Sequence, residues 1–400
     1  MNVLDILLLV AAVWFAIVGY RQGFVVGILS VTGFLGGGLI AVSLLPLVWD
    51  QVTDDKAKVS TTMAVVAVVI VIVCASIGQA FTTHLGNRLR RYITWSPARV
   101  VDATGGALVN VMAMLLVAWL IGSALAGTSL PTLGKEVRSS KVLLGVSRVL
   151  PDQANTWFSD FSSVLAQNGF PQVFSPFSNE PITAVKPPDP ALVSSPVVER
   201  AKRSIVKVVG TAPSCSKVLE GSGFVFAPGK VMTNAHVVGG VGEPTVQIGG
   251  EGKLYDGKVV LYDWERDIAV LDVPKLKAPP LEFAEKDAAS GFDAIVAGFP
   301  ENGAYDVRPA RVRGRINANG PDIYHRGTVR RDVYSLYATV RQGNSGGPLL
   351  TPDGKVYGVV FAKSLDDANT GYALTADEVR DDIRNGRTAQ RRVDSQGCAL

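Results

Sequence analysis

The segment Gly343-Asn344-Ser345-Gly346-Gly347-Pro348 puts a serine hydroxyl on a tight turn between small residues. Acyl transfer asks for that arrangement, because a nucleophilic hydroxyl must reach a carbonyl while backbone N–H groups face the oxyanion that develops. Gly343 and Ser345 would supply those donors. A Gly-flanked serine alone marks only a turn, so the chemistry depends on a partner that takes its proton. The chain has three histidines. His84 falls at the end of an apolar run, and His325 lies in the polar, turn-like stretch Tyr324-His325-Arg326-Gly327. His236, in Val231-Met232-Thr233-Asn234-Ala235-His236-Val237-Val238, follows an apolar strand and is the candidate general base.

An imidazole in that role needs a carboxylate to fix its tautomer. Arg266-Asp267-Ile268-Ala269-Val270-Leu271 sets an acid directly before a strand that would bury it beside the ring. Asp263 lies earlier in the approach and Asp272 follows the strand, which makes Asp267 the choice. The chain order His, Asp, Ser is that of the chymotrypsin arrangement and differs from the subtilisin and α/β-hydrolase orders. His236 would take the proton of Ser345 as it attacks a peptide carbonyl, Asp267 would stabilise the imidazolium, and an acyl-enzyme would form and be released by water. This chemistry needs no metal or cofactor.

The elements that must hold these residues are short β-branched runs separated by Gly, Pro and Asp turns: Ile205 to Val209, Gly223 to Ala227, Thr245 to Ile248, Gly257 to Tyr262, Ile268 to Val273, Ile295 to Phe299, Leu349 to Leu350 and Val356 to Phe361. Such strands without intervening helices indicate an all-β barrel or sandwich. A closing helix is expected at Thr375 to Asn385, where Glu378 sits as a capping-box partner three residues after Thr375. The motifs TNAHVV, DIAVL and GNSGGPL resemble the trypsin-like serine proteases of the high-temperature-requirement type. The resemblance implies an all-β, chymotrypsin-like double β-barrel. It also puts Thr339, six residues before the serine, at the base of the primary pocket, so that no fixed carboxylate selects Lys or Arg. The strand Val360 to Ser364 would line the cleft, with Ala362 and Lys363 as candidate pocket residues whose aim the sequence does not give.

The charged fraction is 18% and the apolar excess sits in the first third of the chain. The net charge of +4 comes from Lys and Arg interspersed with Asp and Glu, and no basic stripe with interleaved aromatics marks a nucleic-acid surface. Four apolar runs, Val3 to Tyr20, Phe24 to Leu45, Val59 to Thr82 and Gly105 to Gly127, each approach the roughly 20 residues a bilayer requires. The first lacks a basic leader and carries Asp5 early, so it reads as a retained helix rather than a cleaved signal. Arg88, Arg90, Arg91 and Arg99 in one loop and Arg21 in another are expected to be cytoplasmic, leaving both termini outside. Gly19, Gly23 and Gly27, then Gly33 and Gly37, recur every four residues and suit close helix packing within the chain in preference to dimerisation. This Asp5-led, Gly-rich run resembles the membrane domain of the colicin V production protein family.

Between the spans and the strands the composition shifts to Ser, Pro and scattered apolar residues. Lys141 to Leu150 and Asn155 to Gln167 suit short helices, and seven prolines from Pro171 to Pro196 bar regular structure thereafter. The expected organisation is a four-helix membrane region over 1–128, a linker over 129–198 and a protease domain over 199–400. The linker reads as a tether open to self-cleavage, or as a passive spacer. Cys74 lies in an apolar run, whereas Cys215 and Cys398 bracket the last domain and read as one disulfide in an oxidising compartment, two separate thiols being the alternative.

With four spans before the protease motifs, the whole chain resembles the MarP family of actinobacteria, membrane-associated periplasmic serine proteases of acid resistance. That resemblance implies a multi-pass membrane protein with a periplasmic protease domain, envelope protein or peptide substrates, and a role in acid or oxidative stress. A free imidazole titrates near about 6.5, so acid would act on access or substrate supply rather than assist the chemistry. Three other readings are a latent pseudoprotease or stress-sensing binding module, an esterase, and a transporter. The spans hold almost none of the mid-depth ionisable groups a transport pathway requires.

Overall fold

The computed structural model describes residues 2–52, 61–126, 136–150, 170–175, 180–215 and 217–399. The chain divides into two units, one of Met1–Ile121 with Ser140–Ser147 and one of Gly122–Ser139 with Arg148–Leu400. The expected helix at Asn155 to Gln167 lies outside the described residues.

The first unit is built on α1 (Val3–Gln22), α2 (Phe24–Val52), α3 (Thr61–Arg90) and α4 (Ser96–Ala126), each long and apolar enough to cross a membrane. Asn2 caps α1 by accepting from the Asp5 amide at 2.9 Å, and Asp5 accepts the Asn2 amide in return at 3.1 Å. Asp5 is fully buried because it serves a second helix, α5 (Lys141–Val149): its carboxylate accepts from Ser140 Oγ at 2.7 Å and from the Val142 amide at 3.1 Å. The recurring glycines pack within the chain. A Cβ on Gly33 would collide with the Gly78 carbonyl of α3, and one on Gly19 with the Gly106 carbonyl of α4. Helix α4 starts well before the apolar run that predicts it. Asp102, in its second turn, is buried by Arg90 at 2.7 Å and by the Val25 amide at 3.0 Å, so a charge that hydropathy excludes is carried inside the unit.

Among the described residues the second unit holds a short helix, α6 (Pro196–Lys202), followed by thirteen strands. β1 (Ile205–Ala212), β2 (Lys217–Ala227), β3 (Lys230–Thr233), β4 (Thr245–Ile248), β5 (Leu254–Asp256), β6 (Lys258–Asp263) and β7 (Ile268–Asp272) form one sheet in the order β5-β4-β1-β2-β3-β7-β6. β8 (Asp293–Gly298), β9 (Asp306–Pro321), β10 (Thr328–Tyr337), β11 (Pro348–Leu350), β12 (Val356–Lys363) and β13 (Thr370–Thr375) close into a barrel in the order β10-β13-β12-β11-β8-β9. Valines 206, 208, 225, 231 and 246 with Leu271 fill the first sheet, and Val296, Val312, Tyr334, Leu349 and Val360 fill the barrel. A third apolar layer, including Phe224, Met232, Ile268, Phe299, Phe361 and Tyr372, joins the two. The fold is the expected chymotrypsin-like β architecture; one of its two sheets closes fully, and the other is a seven-stranded curled sheet.

β9 and β10 escape a search for β-branched runs. In β9, Ala310, Val312 and Ala318 are buried, with Arg308 and Arg315 exposed and Arg311 half-buried among them, so no β-branched run marks the strand. The closing helix also differs from expectation. The Glu378 amide does bond Thr375 Oγ1 at 3.1 Å, but the Glu378 carboxylate turns to the Asp332 amide at 2.9 Å, Thr375 ends β13, and the helix α8 runs over Arg380–Thr388.

Cys215 and Cys398 form a disulfide across 183 residues of sequence. Beside it the carboxy-terminal segment packs on α7 (Ala235–Val238), the helix of His236: the Gly240 amide donates to the Ser395 carbonyl at 3.1 Å and Ser395 Oγ to the Val241 carbonyl at 3.1 Å. A loop this long gives a chain-entropy stabilisation of about 5 kcal/mol at the upper end. Cys215→Ser is therefore expected to lower the urea midpoint strongly and to reduce activity at temperatures where the variant remains folded. Full activity of the folded variant would show that the tail does not support the His236 helix.

Candidate active site

The first sheet supplies His236 and Asp267. Thr233 ends β3 with its hydroxyl on the Ser222 carbonyl at 2.7 Å, and Asn234 then donates from Nδ2 to the Asp267 carbonyl at 2.7 Å. The first bond ties β3 to β2, and the second fixes the start of α7 against the start of β7. Asp267 adopts φ 63°, a left-handed conformation that costs a non-glycine residue on the order of 1 kcal/mol. The surroundings hold it there. Its Oδ1 accepts the His236 amide at 2.9 Å and its Oδ2 faces His236 Nδ1 at 2.7 Å. A carboxylate at this distance accepts from an Nδ1–H, a tautomer that would leave Nε2 free to accept.

Asp263 and Asp272 have other work. Asp263 Oδ1 accepts the Glu265 and Arg266 amides at 3.0 and 2.8 Å, shaping the turn that delivers Asp267, and Asp272 pairs with Lys230 at 2.8 Å and Lys258 at 3.2 Å. His325 sits in a turn at φ 54°. Burial lowers its pKa below the usual imidazole value, against the pull of Asp322.

Ser345 comes from the loop between β10 and β11 and is 2% exposed. Its carbonyl accepts the Ser222 amide at 2.8 Å, and Gly346 and Gly347 pair with Val360 of β12. The hydroxyl lies 3.5 Å from the Phe361 carbonyl, and among the described residues it has no hydrogen bond to His236. Catalytic hydrogen bonds in free sites are often long and tighten when substrate binds.

The turn before the serine is held so that two amides stay open. Gly343 has φ 90°, and a Cβ there would strike the Phe299 carbonyl. Its own carbonyl accepts Ser222 Oγ at 2.6 Å, while the Gln342 carbonyl accepts the Glu301 amide at 2.7 Å. Both carbonyls are thus turned away, and among the described residues the Gly343 and Ser345 amides have no hydrogen-bond acceptor. Two N–H groups without acceptors close in sequence to a serine hydroxyl are available to an oxyanion.

Sequence reasoning gave Ser222 no role. It is fully buried, donates to Gly343, and accepts the Phe299 amide at 2.9 Å, so one hydroxyl links the first sheet, β8 and the serine loop. Its only signal was a polar residue between two glycines in an apolar strand. Arg331 was also missed. It is 1% exposed and donates to the Glu265 carbonyl at 2.8 Å and the Pro321 carbonyl at 3.1 Å, beneath the turn that carries Asp267.

Thr339 is exposed at the end of β10, and Ala362 is buried in β12. Lys363 turns its ammonium onto the Phe170 ring, 5.5 Å from the centroid. Strand β13 pairs with both β10 and β12, which brings the ends carrying Thr339 and Lys363 to one side of the barrel.

A family model described as a trypsin-like peptidase domain matches residues 221–359, and one described as colicin V production protein matches residues 4–151. The chain is 41% identical over 378 residues to Serine protease Rv3671c of Mycobacterium tuberculosis (strain H37Rv), covering 94% of each protein. It is similar to the crystal structure of Rv3671c protease from M. tuberculosis, active form, with 47% identity and a TM-score of 0.54 over 57% of this chain and 100% of that one. A probable periplasmic serine endoprotease DegP-like of Chlamydia pneumoniae is 33% identical over 44% of this chain and 37% of its own length.

Behind the Asp267 turn, Arg266 bonds Asp263 at 2.8 Å and Glu378 at 3.3 Å, and Asp382 of α8 lies close by, 5% exposed with one carboxyl oxygen unpartnered among the described residues. Burial pushes the Asp382 carboxyl up to about 7, with Asp263 adding to the effect and Arg266 opposing it. The folded chain therefore holds a proton that the unfolded chain releases. This contribution to stability is fully present below the unfolded value near 3.8 and is lost as pH rises through about 7. Asp382→Asn is expected to raise stability at pH 8 by on the order of 1–3 kcal/mol and to change it little near pH 4. Urea titrations at the two pH values check this; an equal shift at both would refute it.

Proposed function

The chain belongs to the MarP family of membrane-associated, trypsin-like serine proteases, and from that premise we propose that His236, Asp267 and Ser345 are its catalytic triad. The carrying observation is the 2.7 Å contact between His236 Nδ1 and Asp267 Oδ2, made in a site where the Gly343 and Ser345 amides are left without acceptors. Ser345 Oγ attacks the peptide carbonyl while His236 Nε2 takes its proton. The tetrahedral oxyanion is held by the two amides, and the imidazolium by Asp267. His236 then gives its proton to the leaving amine, and water, deprotonated by the same nitrogen, cleaves the acyl-enzyme. The neutral form of His236 is the working base, so acid diminishes the rate per enzyme, and a function in acid stress operates through access or substrate supply.

The enzyme is a serine protease and therefore acts on protein substrates. Its helices anchor it in a membrane by four passes, with the Arg-rich loops cytoplasmic and the protease domain outside. The Cys215–Cys398 disulfide supports an oxidising, extracytoplasmic compartment. Its substrates are then envelope proteins, its own linker among them, and its physiological setting is acid or oxidative stress. One observation favours a second reading, a latent enzyme or sensor: the Ser345 hydroxyl faces the Phe361 carbonyl and is not bonded to His236.

Fluorophosphonate labelling of the full chain in detergent separates the two. The wild type is expected to be labelled and Ser345→Ala not. Peptide turnover is expected to fall by about a millionfold in Ser345→Ala and about ten-thousandfold in Asp267→Asn. A folded wild-type chain that fails to react would make latency the correct reading.

A further inference from the structure

The connector approaches the barrel at the loop between β12 and β13. Glu180 inserts its carboxylate among three donors: Ser364 Oγ, the Leu365 amide at 3.1 Å and Tyr372 Oη at 3.0 Å. Ser364 Oγ in turn accepts the Asp366 and Asp367 amides at 3.0 and 2.9 Å, so its proton is committed to Glu180. Two further contacts grip the same loop. Arg138, 4% exposed, donates from Nε and Nη2 to Asp366 Oδ1 at 3.1 and 2.5 Å, and Arg313 bridges the Thr183 carbonyl at 2.7 Å and Asp367 at 3.3 Å.

This loop touches both sides of the substrate cleft. Ser364 follows Phe361 by three residues, and the Phe361 carbonyl is the group beside Ser345 Oγ. At the other end the Asn369 carbonyl accepts the Ala338 amide at 2.9 Å, next to Thr339. Pairing of β12 with β11 ends at Val359, so Phe361 to Lys363 offer an edge that an extended peptide can join as a strand. Whatever fixes Ser364 fixes the register of that edge relative to the nucleophile.

We propose that Glu180 is a positioning residue for peptide recognition: through Ser364, Leu365 and Tyr372 it sets the cleft-lining end of β12, so that the connector is a working part of the protease and no passive spacer. The catalytic body then reaches back through the connector to Arg138, and a boundary at residue 199 would leave an intact triad beside an unsupported cleft. The inference rests on Ser345 being the nucleophile.

The test uses the full chain in detergent and compares two rates, phosphonylation of Ser345 by a small fluorophosphonate and hydrolysis of a peptide that spans the cleft. For Glu180→Ala we expect kcat/KM on the peptide to fall about ten- to a hundredfold, mainly through KM, with phosphonylation slowed less than threefold. The KM effects of Glu180→Ala and Ser364→Ala should be non-additive in the double variant, because they break one contact. If Glu180→Ala does not fold, Glu180→Gln, which places a donor against the Leu365 or Ser364 donor, is measured in the same way. A peptide kcat/KM within twofold of wild type, an equal fall in both rates, or strict additivity would overturn the proposal. An unreactive wild-type chain would instead overturn the nucleophile assignment.

Discussion

The site depends on one buried carboxylate. Asp267 has no solvent exposure, and a carboxylate so placed must be matched by donors or it takes up a proton. His236 answers with two, its ring Nδ1 and its own amide. Because both belong to one residue, the contact fixes the ring's position and tautomer together, and it can form only if the first turn of α7 lies against the start of β7. The left-handed backbone at Asp267, the Asn234 bond to its carbonyl and the Asp263-shaped turn before it all serve that placement. Arg331 adds a buried cation under the turn. Among the described residues its Nη2 is unpartnered, a cost that the nearby Asp267 carboxylate helps to offset.

The proposed nucleophile, Ser345, lies on the loop that leads into β11 of the other sheet, so its alignment with His236 depends on how the two halves are held together. Ser222 performs this across the seam. Its hydroxyl donates to Gly343 and accepts from Phe299, while its amide holds the Ser345 carbonyl. An alanine there would keep the amide bond but leave a buried amide and carbonyl unpaired at the serine loop. The glycine at 343 answers a related demand, since its positive φ and its closeness to the Phe299 carbonyl exclude any side chain.

The residues of the candidate triad were legible because each needs a local pattern: a glycine turn, a residue after a strand, an acid before one. The first sheet was legible for the same reason, its strands being apolar runs. The barrel was less so. β9 is interspersed with arginines, and their meaning comes from partners such as Asp293 and Asp332 on neighbouring strands. The start of α4 was hidden likewise, because Asp102 is acceptable only beside Arg90. Thr375 shows the limit of a capping motif: the hydroxyl-to-amide bond forms, but the acid three residues on is claimed by the Asp332 amide of a neighbouring strand, and the helix starts later. In each case a polar residue follows a tertiary partner rather than its neighbours in sequence.

Both ends of the protease unit are used as supports, on opposite halves of the site. The carboxy-terminal segment lies on the His236 side, through Ser395 and the Cys215–Cys398 bond. The connector lies on the Ser345 side, through Glu180 and Arg138 at the loop after β12. The central barrel alone therefore does not determine the site. On the proposed assignment, reduction of the disulfide would bear on the half that holds His236, and a cut upstream of the strands would bear on the half that holds Ser345. Each can be altered without touching a residue that carries out the reaction, because the strands fix where the reacting groups stand and the chain ends fix how firmly they are held there.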